Sequence, residues 1–77
     1  MTTIPKYMRP LVKAVVAHAD KAGDGHPGWA AIHDNWDRYE IACQLAREGV
    51  RDAQAAIPVM QKIADEIVAN HAAMRAA

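Results

Sequence analysis

Phenylalanine is absent from this chain, cysteine occurs once, and the positive and negative side chains cancel at nine each. Each deficit excludes something. A lone Cys43 cannot close an intramolecular disulfide, so a reducing, cytoplasmic setting is expected. Zero formal net charge removes the broad positive field that nonspecific nucleic-acid binding draws on. The opening MTTIPKYMRP holds no apolar stretch of leader length, and no run elsewhere is long enough to cross a membrane, so neither secretion nor insertion is expected. Runs of Val, Ile, Thr and aromatics that would read as strands are also missing. So are the glycine-rich phosphate loop, GxSxG, HExxH and CxxC.

What is present is alanine, in quantity, and apolar residues at helical spacing. With 77 residues there is room for one domain, 1–77, and a chain of this size buries only about 60% of its unfolded surface. Trp29 and Trp36 would therefore supply a large share of the core, and dimerisation is an ordinary way for such a chain to add buried area. The composition predicts an all-α fold: a small single-domain helical bundle of three to four helices with a long, kinked C-terminal helix. Alanine richness also fits a high-GC bacterial or phage genome.

Leu11, Val12, Val15, Val16, Ala19 and Ala22 recur at i, i+3, i+4 and predict a helix over about 10–22. Pro10 marks its start, and Gly23 is expected as the left-handed residue after its end. Trp29, Ile32 and Trp36 predict a second helix over about 27–36. Asp37 with Glu40 three residues on forms an approximate capping box for a third, about 38–48, ending at Gly49 and lined by Ile41, Ala42, Leu45 and Ala46. One continuous helix over 28–48 is the competing reading. The fourth, about 51–74, carries Ala53, Ile57, Met60, Ala64, Ile67, His71 and Met74 on one side. Pro58 inside it withholds one N–H, so a kink is expected there, or a helix starting afresh near Ile57. Residues 1–9 carry no clear signal.

The segment DKAGDGHPGWAAIHDNW, 20–36, gathers glycines, acids, two histidines and both tryptophans. As a twelve-residue calcium loop it has Asp20, Asp24 and Gly25 at the first, fifth and sixth places. Ala22 and Ala31 occupy the third and twelfth, where oxygen ligands are needed, so it reads as a connection between helices. Candidate transition-metal ligands are His26, His33, Asp37 and Glu40, a weak set without a paired motif. His18 and His71 lie on or beside apolar stripes and are expected at the core edge. Cys43 has no neighbour to lower its pKa and is expected to be a small buried hydrophobe. No cofactor and no catalysis are expected.

EIACQLAREGVRDAQAAI superficially resembles a helix-turn-helix, which would make residues 41–57 a DNA-binding regulator. Its second helix would open with Arg51, Asp52, Gln54 and later Pro58, a poor set of donors for base edges, and Leu45 stands where a small residue is usual. The preferred expectation is a non-enzymatic protein-binding module, an adaptor or inhibitor, with a phage or mobile element as its source. Its contact residues are expected to be Trp29, Asp34, Arg38 and Tyr39, of types that mix aromatic area with charge. A homodimer through the long C-terminal helix is a further partner expectation.

Overall fold

The computed structural model describes residues 4–76, with side chains through His71, and every element in that span is helical. A 3-10 turn at Lys6–Met8 leads into α1 (Arg9–Ala22), followed by α2 (Pro27–Asn35), α3 (Arg38–Arg47) and α4 (Ala53–Ala76). The ends follow the local chemistry closely. Pro10 sits in the first turn of α1, where its missing N–H costs nothing. The path from α2 to α3 is broken at Trp36 (φ −92°, ψ 127°) and Asp37 (φ −82°, ψ 170°), both extended, so 28–48 is two helices. The capping box holds the second of them: the Glu40 backbone N–H donates to Asp37 Oδ1 at 2.7 Å and the Asp37 N–H to Glu40 Oε1 at 3.4 Å.

α3 ends on Gly49, the only described residue with positive φ (70°). The Val50 N–H donates to the Leu45 carbonyl at 3.0 Å and the Gly49 N–H to that of Ala46 at 3.1 Å. This is the paired closure in which the residue beyond the left-handed one also packs on the last turn, and Val50 and Leu45 are both buried. α4 starts two residues later than its periodicity suggested because Asp52 is its N-cap: Oδ1 accepts from the Ala55 N–H at 2.9 Å. The helix then passes Pro58 without interruption. The Gln54 carbonyl that loses its partner belongs to an exposed residue, where water can serve.

Gly23 departs from expectation. Its φ of −59° is right-handed, so no left-handed turn closes α1. A side chain is excluded there for another reason: a Cβ would lie 2.8 Å from the Ala19 oxygen and 3.2 Å from the Ala30 Cα, where the end of α1 passes α2.

α1, α2 and α4 pack mutually, and α3 leans on α1 with a lesser contact to α4. Met8, Leu11, Val12, Val15, Trp29, Ile32, Ile41, Leu45, Val50 and Met60 fill the core between them. Burying each large side chain contributes roughly 1.5–3 kcal/mol. On α4 the deepest line is Ala56, Met60 and Ala64, with Ile57, Val59, Ile63 and Ile67 half-buried beside it. The stripe is rotated from the one expected through Ile57. α2 crosses α4 at Ala64, where a Cβ on Gly28 would overlap the Ala64 carbonyl oxygen.

α4 is about 36 Å long at 1.5 Å per residue, most of the molecule's 42 Å length. It outruns its neighbours, which is why His71 is exposed and not at the core edge as expected. The Met74 side chain lies outside the described residues. Among the described residues no helix is long and apolar enough to cross a membrane.

Candidate interaction surface

The outward side of α3 carries a shallow hollow of about 260 Å³ lined by Trp36, Tyr39, Glu40, Cys43, Gln44 and Arg47. From Tyr39 to Arg47 those positions fall at i, i+1, i+4, i+5 and i+8 on α3, a stripe opposite the one formed by Ile41, Ala42 and Leu45, and Trp36 adjoins it from the extended link before α3. Trp36 rests partly on the core. Tyr39 is 42% exposed, one of two large apolar side chains left so open among the described residues. Its phenol is held above the ordinary tyrosine range, chiefly by its hydrogen bond with Cys43. Cys43 is half-buried in the wall of the hollow, so it is more accessible than the buried hydrophobe expected. Tyr7, the other exposed aromatic, lies under the Arg51 guanidinium at 5.9 Å.

Of the expected contact residues, Asp34, Arg38 and Tyr39 are exposed, and of these Tyr39 alone lines the hollow. Trp29 is not: at 1% exposure it belongs to the core and is removed from the contact set. Trp36, Cys43 and Arg47, outside the expected set, line the hollow. The signal for them was available in the spacing from 36 to 47, which reading only the inner face of α3 passed over.

The four candidate metal ligands do not converge, and among the described residues no group of three or more His, Cys, Asp or Glu side chains could hold an ion. Each is engaged elsewhere. Asp37 and Glu40 cap α3. His33 pairs its Nδ1 with Asp34 Oδ1 at 3.1 Å and its Nε2 with Asp20 Oδ1 at 3.6 Å. The Asp34 hydrogen bond is the main cause that raises its pKa, opposed by slight desolvation and assisted by the charges of Asp20 and Asp34.

His26 is the N-cap of α2. Its Nδ1 accepts from the backbone N–H groups of Gly28 (3.1 Å) and Trp29 (3.3 Å), and its Nε2 lies 3.0 Å from Asp65 Oδ1 on α4. The Trp29 indole, which can only donate, reaches Gln61 Oε1 at 2.8 Å, and this turns the Gln61 amide nitrogen toward Asp65 Oδ1 at 3.0 Å. Asp65 is held below the ordinary carboxylate range by the hydrogen bonds from His26 and then Gln61. His18 meets Trp29 edge-on with ring centroids 4.5 Å apart, a core-edge histidine as expected. No described polar side-chain atom is buried without a partner, and no polar or charged residue is buried.

At the start of α4, Asp52 is occupied as a cap and Arg51 lies over Tyr7, leaving Gln54 as the exposed donor of that turn. Comparison with protein-family models, curated proteins and solved structures gives no match.

Proposed function

We propose that this chain is a small cytoplasmic docking module that acts without catalysis, binding a protein partner through the outer face of α3 as an adaptor or inhibitor. The observation that carries the reading is the hollow between Trp36 and Arg47, rimmed by an exposed tyrosine on a helix whose opposite side is already buried. Aromatic and arginine side chains around a depression are what protein interfaces use as anchors. Glu40, Gln44 and Arg47 supply its polar lining, while Arg38 and Asp34 are exposed elsewhere on the surface. In support, the interior is apolar throughout the described residues, so no ionisable group is held dry where its reactivity would be altered.

The test is affinity capture from the native host with wild type, Arg38→Ala, Tyr39→Ala and Arg47→Ala, each checked by thermal melting. None of these side chains is buried, so the melts are expected to coincide within about 0.5 kcal/mol of stability, while a partner retained by wild type is lost from Tyr39→Ala. Equal capture by all four proteins would take this surface out of consideration. A gel shift at low salt addresses the DNA-binding alternative, in which Gln54 would be a principal contact.

A further inference from the structure

We propose that His26 is a proton-operated latch between α2 and α4. Neutral, with its hydrogen on Nε2, it caps α2 and ties that helix to Asp65; a proton on Nδ1 abolishes the cap and loosens the first turn of α2. The inference goes beyond the docking reading and does not depend on it.

Geometry fixes the protonation state the latch needs. Two backbone N–H groups converge on Nδ1, at 3.1 and 3.3 Å. A ring nitrogen can accept them only through its lone pair, so Nδ1 carries no hydrogen and the neutral ring must carry it on Nε2. That hydrogen points at Asp65 Oδ1, 3.0 Å away. The neighbouring network agrees: the Trp29 indole orients Gln61 so that its NH2 group, not its oxygen, lies 3.5 Å from His26 Nε2, leaving the carboxylate as the acceptor.

Most N-caps are Ser, Thr, Asp or Asn, whose oxygens accept at any pH near neutrality. Imidazole is different because its charge changes between about pH 5 and 8. The imidazolium has no lone pair, so protonation strips the Gly28 and Trp29 N–H groups of their partner and sets a positive charge against the positive end of α2. Asp65 on α4 is the charged group that faces Nε2. Of the other groups nearby, Gln61 on α4 is neutral, α1 presents His18 to Trp29, and Asp24 in the same loop makes no hydrogen bond or ion pair with His26 among the described residues. The sign follows from the lone pair: the cap is complete while the ring is neutral and is lost when Nδ1 is protonated. The turn that opens holds Gly28, pressed on the Ala64 backbone, and Trp29, whose ring fills the core.

The test is amide hydrogen exchange by NMR at pH 7.5 and 5.0, expressed as protection relative to the free peptide, in wild type, His26→Asn and Asp65→Asn. Asparagine caps without titrating. Expected in wild type is a loss of protection at Gly28 and Trp29 of about fivefold at the lower pH, the equilibrium equivalent of one lost N-cap, with Val15 and Met60 unchanged. His26→Asn should show no such loss, and Asp65→Asn, which leaves both backbone donors on Nδ1, should keep the cap at pH 7.5. Unchanged protection in wild type, or an equal loss in His26→Asn, would overturn the latch. Nitrogen-15 shifts of the wild-type ring give an answer that needs no variant: a neutral ring with its hydrogen on Nδ1 defeats the proposal.

Discussion

At the residue scale the histidines decide how this protein meets acid, and they pull in different directions. His33, on α2, lies between Asp34 on its own helix and Asp20 on α1, and its pKa is raised. A group whose folded pKa is raised contributes stability that is fully present below its unfolded value, about 6.5, and is lost as pH climbs through the folded value. Asp65 behaves oppositely: its lowered pKa means a contribution present above about 3.9 and lost as pH falls through the folded value. Asp20→Asn removes one of the two carboxylates beside His33 while leaving the Asp34 hydrogen bond. The His33 pKa in that variant should fall part of the way to its ordinary value, as read from proton NMR titration of the imidazole. An unchanged titration curve would show that Asp20 is too far and too hydrated to matter. Side-chain identities allowed none of this to be seen in advance. His26 was legible as a polar residue beside Pro27, but imidazole is outside the usual capping set, and its partner Asp65 is 39 positions away.

At the scale of elements, the boundaries were legible because the signals are local. Asp37 with Glu40, Gly49 after Arg47, and Pro27 after His26 each act within one turn, so the four helices are readable to within two residues at every described start and end. The facing of α4 was less legible. Periodicity placed Ile57 with Met60 and Ala64, but the deepest line runs through Ala56, and α2 approaches within backbone contact where Gly28 meets Ala64. That approach is set by two helices distant in sequence. It carries a sharp prediction. In Gly28→Ala the new Cβ would need the space of the Ala64 carbonyl, and backbone cannot swing aside as a side chain can. The two helices must separate, at a cost of about 3 kcal/mol, the upper part of the range for overpacked sites. For a chain this size that lowers the melting temperature by more than ~10 °C. Gly25→Ala is the control, since a Cβ there meets nothing within 4 Å. Melting temperatures of the two variants within a few degrees of each other would mean that the crossing is looser than the contact implies.

For the molecule as a whole, the uneven packing of the four helices bears on which part can move. α1, α2 and α4 hold one another on several sides, while α3 rests on α1 and touches α4 lightly. Its buried residues are Ile41, Ala42 and Leu45, against Met8, Leu11, Val12, Val15, Trp29, Ile32 and Met60 from the preceding turn and the other three helices. Regions with fewer buried apolar contacts open at lower free energy than the global transition. Native-state hydrogen exchange should therefore find the amides of Ala42 and Leu45 exchanging through a partial opening, with α3 detached, while those of Val15 and Met60 exchange only on global unfolding. The difference should be visible as a denaturant dependence that is shallow for α3 and steep for the other helices, because less surface is exposed in the partial event. Identical slopes and free energies at all four amides would make the bundle a single cooperative unit. The hollow from Trp36 to Arg47 lies on the helix expected to open first, so a partner seated there would stabilise α3 selectively, and protection of Ala42 and Leu45 would rise on binding before that of Val15 changed.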